Sequence, residues 1–289
     1  KIRGVTDQNQ NEYLASNVIL ATGHSARDIF SMLHSNGIML QAKPFALGVR
    51  IEHPQSLIDT LQYHVSDRGL YLPAAEYNMV TQIEGRGVFS FCMCPGGTIV
   101  PAVTGSGEMV VNGMSNSRRN SAYANSGIAV AIEPEDWSEF NMHGELAALA
   151  FQRSIENKAW QFAGEGLKAP AQRLVDFVDD KPSATLPACS YNPGLMSVEL
   201  KNILPSFLTT RLQRAFIEFD KKMKGYLTNE AVLTGVESRT SSPVRIPREE
   251  TTLMHPQVTG LYPCGEGAGY AGGIVSSAID GVIVAQAIR

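Results

Sequence analysis

The segment densest in chemical potential is Leu261-Tyr262-Pro263-Cys264-Gly265-Glu266-Gly267-Ala268-Gly269-Tyr270-Ala271-Gly272-Gly273-Ile274. An apolar run leads into a glycine loop, and a helix of small residues is expected from about Ile274 to Ile288. Glycine has no Cβ, so a backbone rich in it can approach a ligand closely. A helix that starts there aims unpaired N–H groups and the positive end of its dipole at an electron-rich group. Strand, glycine loop and helix in that order make a turn suited to a phosphate or a cofactor. Gly265, Gly272, Gly273 and Ile274 are the expected backbone contacts, and Gly272 and Gly273 are expected to leave no room for a Cβ. Glu266 is expected to bind a sugar-like hydroxyl. A competing reading takes the glycines as a tight turn that merely lets the helix pack on the strand.

A second segment, Gly235 to Ile246, collects Arg239, Thr240, Ser241, Ser242 and Arg245 beside Pro243. Hydroxyl and guanidinium donors at this density suit an anionic ligand, and Arg239, Ser241 and Arg245 are the catalytic candidates. The plainer alternative is a solvated loop with one arginine bound to Glu237. Cys92 and Cys94, two residues apart, would face the same side of a strand. Three readings stand for them: a metal site with Cys189 and Cys264, a redox pair, or buried structural thiols. The spacing matches no zinc pattern, so no metal is expected. His24 and His53 could move protons near neutral pH, but neither is assigned as a base, because a lone histidine beside a turn is more often structural.

These residues need elements to position them. Val18 to Ala21 is a continuous apolar run that predicts a fully buried strand ending at Thr22-Gly23. A helix capped by Ser25 should follow, with Ile29, Phe30 and Leu33 on one face and Asn36-Gly37 as its stop. Alternation predicts strands at Phe45–Glu52, Val88–Met93 and Met109–Asn112. Amphipathic helices are expected over roughly 144–162 and 207–223, and a buried strand at 260–265.

Five blocks together resemble a known family, the bacterial FAD-dependent dehydrogenases of the glutathione-reductase-like class. They are Val18-Ile19-Leu20-Ala21-Thr22-Gly23-His24-Ser25-Ala26-Arg27-Asp28, Lys43-Pro44-Phe45-Ala46-Leu47-Gly48-Val49-Arg50-Ile51-Glu52-His53-Pro54, Ser90-Phe91-Cys92-Met93-Cys94-Pro95-Gly96-Gly97, the run from Gly235 to Ile246, and the glycine segment. The resemblance implies an α/β fold: an FAD-binding domain in two pieces, 1–46 and 237–289, around an inserted mixed α+β substrate domain, 47–236. It implies that Ala21, Thr22 and Gly23 run past the cofactor and that the Arg239 loop lies near flavin and substrate. The implied activity is hydride transfer between flavin N5 and a small organic substrate, with a nicotinamide or another electron donor or acceptor as second partner. The runner-up is a non-catalytic flavin-binding or RNA-modification-associated module. Family members begin with a strand, a Gly-x-Gly-x-x-Gly turn and a helix that cradle the pyrophosphate. The present sequence opens at Lys1 without them, so it reads as a carboxy-terminal part, and FAD binding by this part alone is not expected.

Composition agrees with a globular reading. The chain has 289 residues, 44% hydrophobic and 18% charged, with a formal net charge of −4. The few basic pairs, such as Arg118-Arg119 and Lys221-Lys222, make no phosphate-binding stripe, so no nucleic-acid partner is expected. The longest small-residue stretch is broken by Asp280 and Gly281, so no membrane span is expected either. Four cysteines suggest no disulfide framework and favour a cytoplasmic setting.

Overall fold

The computed structural model describes residues 1–288. The chain opens with β1 (Gly4–Thr6), β2 (Glu12–Leu14), β3 (Val18–Leu20), α1 (Arg27–Ser35) and β4 (Gln41–Ala42). The middle carries β5 (Phe45–Pro54), α2 (Gln55–Tyr63), β6 (Val80–Ile83), β7 (Arg86–Cys94), β8 (Gly97–Pro101), β9 (Val111–Ser115) and β10 (Tyr123–Ile132). A 3-10 stretch then leads to α3 (Ala147–Phe162), β11 (Ala169–Arg173), α4 (Leu174–Val178), β12 (Leu195–Ser197), α5 (Ser206–Lys222) and β13 (Val232–Glu237). The last elements are β14 (Val244–Arg245), β15 (Leu261–Pro263) and α6 (Ile274–Ala287).

The chain divides into two compact units. One is built from Lys1–Phe45, Ile132–Gln152 and Arg239–Arg289, the other from Ala46–Ala131 and Arg153–Ser238. The first unit thus includes a third piece, 132–152, whose Leu149 packs into the same core cluster as Phe30, Leu33, Leu40, Val244, Ile246 and Ala268. The second unit holds a seven-stranded mixed sheet in the order β12-β11-β13-β5-β10-β7-β6. β5 lies near its centre, and Phe45 to His53 are buried without interruption. A central strand is covered on both faces, so the alternation legible in Leu47, Val49 and Ile51 marks only one of them, and Arg50, Glu52 and His53 are buried on the strand as well.

In the first unit β3 pairs in parallel with β15, with Val18 opposite Leu261 and Leu20 opposite Pro263. This corrects the expected fully buried strand over Val18–Ala21: Ile19 and Ala21 are exposed, because β15 is the only strand paired with β3 among the described residues. β15 is the buried member, and Tyr262 and Cys264 pack with Val284 of α6. α6 itself is apolar nearly all round, yet Ile274, Val275, Ile279, Val282 and Ile283 face outward.

Two helix boundaries differ from the sequence expectation. α1 is capped by Ala26 with no side-chain hydrogen bond, and Ser25 lies one residue too early for that role. α3 starts at Ala147 because Gly144 adopts φ 56°, ψ −128°, which interrupts the helix. β7 also departs from expectation. Cys92 has φ 45°, so the strand does not alternate there: Cys92 is exposed while Cys94 is buried, and the two thiols do not share a face.

Candidate functional site

The parallel pair β3 and β15 brings two of the candidate segments together in the first unit. The Cys264 N–H donates to the Leu20 carbonyl at 3.0 Å, so the chain leaves both strands side by side. A Cβ added to Gly267 would lie 2.6 Å from the carbonyl carbon of Gly23, and only glycine permits that contact of backbones. Ala21, Thr22 and Gly23 therefore run next to Gly265, Glu266 and Gly267 at the carboxy ends of parallel strands, where α/β folds commonly hold ligands.

The glycine loop is tied down from behind. Gly265 N–H donates to Asp280 of α6 at 2.7 Å, so this donor is used by the fold and is not available to a ligand. Asp280 in turn takes a two-pronged ion pair from Arg248, at 3.0 and 2.6 Å. Burial would raise the Asp280 carboxyl, but the bonds from Arg248 and Gly265 hold it below its ordinary value. The Arg248 guanidinium also lies 3.9 Å from the ring centre of Tyr270.

Further along, Gly272 and Gly273 face open space: a Cβ added to either meets no protein atom within 4 Å. The expectation of a crowded backbone is thus corrected in one respect. No neighbouring part of the protein requires glycine at Gly273, whose extended φ of 170° suits any residue. The first intrahelical bond runs from Ser277 N–H to the Gly273 carbonyl, so the N–H groups of the opening turn of α6 point out of the helix end. An exposed glycine backbone beside such a turn leaves N–H donors open to an electron-rich group.

Around the same strand ends sits a polar cluster. His24 Nε2 is 3.5 Å from a Glu266 oxygen, and the Arg239 guanidinium donates to the Ser25 hydroxyl at 3.3 Å. Arg27 donates to Gln152 at 2.9 Å. Burial, then the charges of Arg239 and Arg27, depress His24 to about 4, so it is neutral at physiological pH. Burial raises the Glu266 carboxyl. A neutral imidazole facing a carboxyl of raised proton affinity can hold or pass one proton between them.

The Arg239 loop is not the solvated loop of the alternative reading. Arg239, Thr240 and Ser242 are buried, and Glu237 pairs with Arg50 at 2.7 Å. The Ser242 hydroxyl closes a local turn on the Val244 carbonyl at 2.6 Å. The Thr240 hydroxyl is buried without a partner. Ser241 is half-buried. Arg245 lies away from these groups' bonds, 5.3 Å from the Tyr270 ring centre. From the sequence His24 was weighed and left unassigned, and Lys43 and Tyr270 were given no role. His24 stood inside a quoted block and directly after Thr22-Gly23, which was the available signal.

None of the four cysteines is in a disulfide, and no group of three or more His, Cys, Asp or Glu residues able to hold a metal occurs among the described residues. No described helix is long and apolar enough to cross a membrane.

Comparison with known proteins agrees with the redox-cofactor reading at the level of family. Residues 44–240 match the model of the family described as FAD-dependent protein, C-terminal domain-like, and the chain belongs to that family. The match covers the second unit and the segment between its two pieces. The chain is also 46% identical over 275 residues to an uncharacterized protein of Clostridium beijerinckii, an alignment that takes in 94% of this chain and 51% of the relative. The chain thus spans about half the length of that curated relative.

Proposed function

We propose that the chain is part of an FAD-dependent oxidoreductase of the glutathione-reductase-like class that acts on a small organic substrate. The observation that carries this is the juxtaposition at the carboxy ends of β3 and β15, where the exposed Gly272-Gly273 backbone and the opening turn of α6 stand beside a cluster of half-buried His24 and Glu266 with buried Arg239. Membership of an FAD-dependent family supports it. FAD, when bound, supplies hydride transfer at its N5 to or from the substrate, with a nicotinamide or another donor or acceptor closing the cycle. The chain's own residues position and balance charge. Ala21, Thr22, Gly23, Gly272, Gly273 and Ile274 offer backbone to the cofactor, Glu266 accepts a hydroxyl, and Arg239 stabilises negative charge near the ring. Neutral His24 with Glu266 holds the proton that must follow a hydride.

The test is Gly273→Val. Because an added Cβ meets no protein atom within 4 Å, the fold is expected to lose about 1 kcal/mol or less, the loss coming from the helix start. FAD affinity in the full protein, measured by flavin fluorescence, should fall at least tenfold. An unchanged affinity would mean that the glycines serve only the turn.

A further inference from the structure

We infer that Lys43 and Arg245 form a binding site for a phosphate or carboxylate group. The antiparallel pairing of β4 and β14 sets Ala42 opposite Val244 and Gln41 opposite Arg245, and Lys43 N–H donates to the Pro243 carbonyl at 2.9 Å. The two cationic residues therefore emerge from neighbouring backbones. Gly269, at φ 82°, lies against both: a Cβ there would be 3.2 Å from Lys43 Cδ and 3.3 Å from Arg245 Cα. The next residue, Tyr270, gives its ring to Arg245 and, closer, to Arg248.

The contrast between these two arginines carries the argument. Arg248 is neutralised by the two-pronged pair with Asp280. Arg245 has no carboxylate within ion-pair distance among the described residues, and its Nε is buried without a hydrogen-bond partner. Lys43 has none either, and its ammonium touches only the Pro44 carbonyl at 3.3 Å. Both side chains are half-buried, where like charges repel more strongly than in open water. Burial and the neighbouring Arg245 charge both push the Lys43 ammonium below its ordinary value, as expected where an anion would restore balance. A guanidinium fork beside an ammonium matches the oxygens of a phosphate or carboxylate in geometry and charge. Two sources share that chemistry: a phosphate of the cofactor, or a free anionic substrate. Only the first rests on the flavin function proposed above.

The experiment is calorimetric titration of the chain with inorganic phosphate at low ionic strength, for the wild type, Lys43→Met, Arg245→Met and the double variant. Saturable one-to-one binding is expected, at least fivefold weaker in each single variant and lost in the double. No binding by the wild type, or equal binding by the double variant, would overturn the inference. Thermal melting in phosphate-free buffer adds a second reading: the double variant should melt no lower than wild type, since it removes a repulsion. A marked drop would show that the fold needs these cations and would count against a ligand site. Parallel titrations of the full-length protein with FAD, riboflavin and malonate separate the sources. Loss of FAD affinity with riboflavin affinity unchanged assigns the site to the cofactor phosphate. Unchanged FAD affinity with lost malonate binding assigns it to a free anion. A full-length protein that binds phosphate but neither flavin keeps the site and removes the flavin reading.

Discussion

Glu237→Ala is expected to lower the unfolding free energy by about 3 to 5 kcal/mol, the usual cost of leaving a buried charge without its partner. The Arg50 side chain is fully buried in the seven-stranded sheet, and its guanidinium is held on every side. It donates to Glu237 at 2.7 Å, to Asn125 at 2.8 Å, to Asn112 at 3.3 Å and to the Cys92 carbonyl at 2.7 Å. Gly113 leaves the space it fills, since an added Cβ would overlap the guanidinium. With Glu237 gone, the carbonyl and amide oxygens remain but no carboxylate is bonded to the guanidinium. Chemical denaturation measures the loss. The double variant Arg50→Met, Glu237→Leu should recover much of it, because two apolar side chains leave no charge to desolvate. If Glu237→Ala melts like wild type, water reaches the guanidinium and the pair is not buried in solution.

Acid should destabilise the same unit through His53. Its ring is fully buried, Nε2 lies 2.9 Å from the Tyr226 carbonyl and therefore carries the proton, and the other ring nitrogen has no partner. Burial depresses it to about 4, against a small opposing pull from the Tyr226 carbonyl. Tyr226 stacks on it at 4.6 Å and Tyr77 stands behind Tyr226 at 5.5 Å, both uncharged in this range. A depressed folded-state value means that the folded protein binds fewer protons than the unfolded chain. The stabilising contribution is therefore complete above the ordinary value of 6.5 and is lost as pH falls from there through about 4. Its full size is about 3 kcal/mol, from about 1.4 kcal/mol per pH unit. His24 contributes with the same sign in the other unit. Glu52 and Glu237, both raised by burial, work in the opposite direction, so the comparison must be differential. Unfolding free energies of wild type and His53→Gln between pH 7 and 4 should converge as pH falls. Parallel curves would mean that His53 is protonated or solvated in the folded state.

Both predictions concern residues that the sequence named, His53 as structural and Glu237 as an arginine's partner, without showing that they are buried. β5 was legible as a strand because Leu47, Val49 and Ile51 alternate, but nothing local says that Arg50, Glu52 and His53 are buried too. Their partners are remote in sequence: Glu237, Ser190 and Tyr226. The glycine segment was legible because strand, loop and helix are contiguous and each leaves its own mark. The cluster of His24, Glu266 and Arg239 was only half visible: Glu266 and Arg239 were candidates, but the cluster forms from three places in the chain, so their meeting with His24 was not. The Cys92 irregularity was invisible, because a positive φ at a non-glycine residue is imposed by its surroundings and leaves no mark in the alternation.

The pairing of β3 with β15 also dictates an order of events while the chain is being made. Among the described residues the strand partner of Val18 is Leu261, far along the chain, so the neighbouring Thr22-Gly23 and Gly265–Gly267 turns meet only when both have been synthesised. The seven-stranded sheet completes sooner, with β13, the last of its strands to emerge. The contact of the Gly23 and Gly267 backbones is therefore made only after the strands of the second unit have emerged, which places it among the last features of this stretch of chain to form.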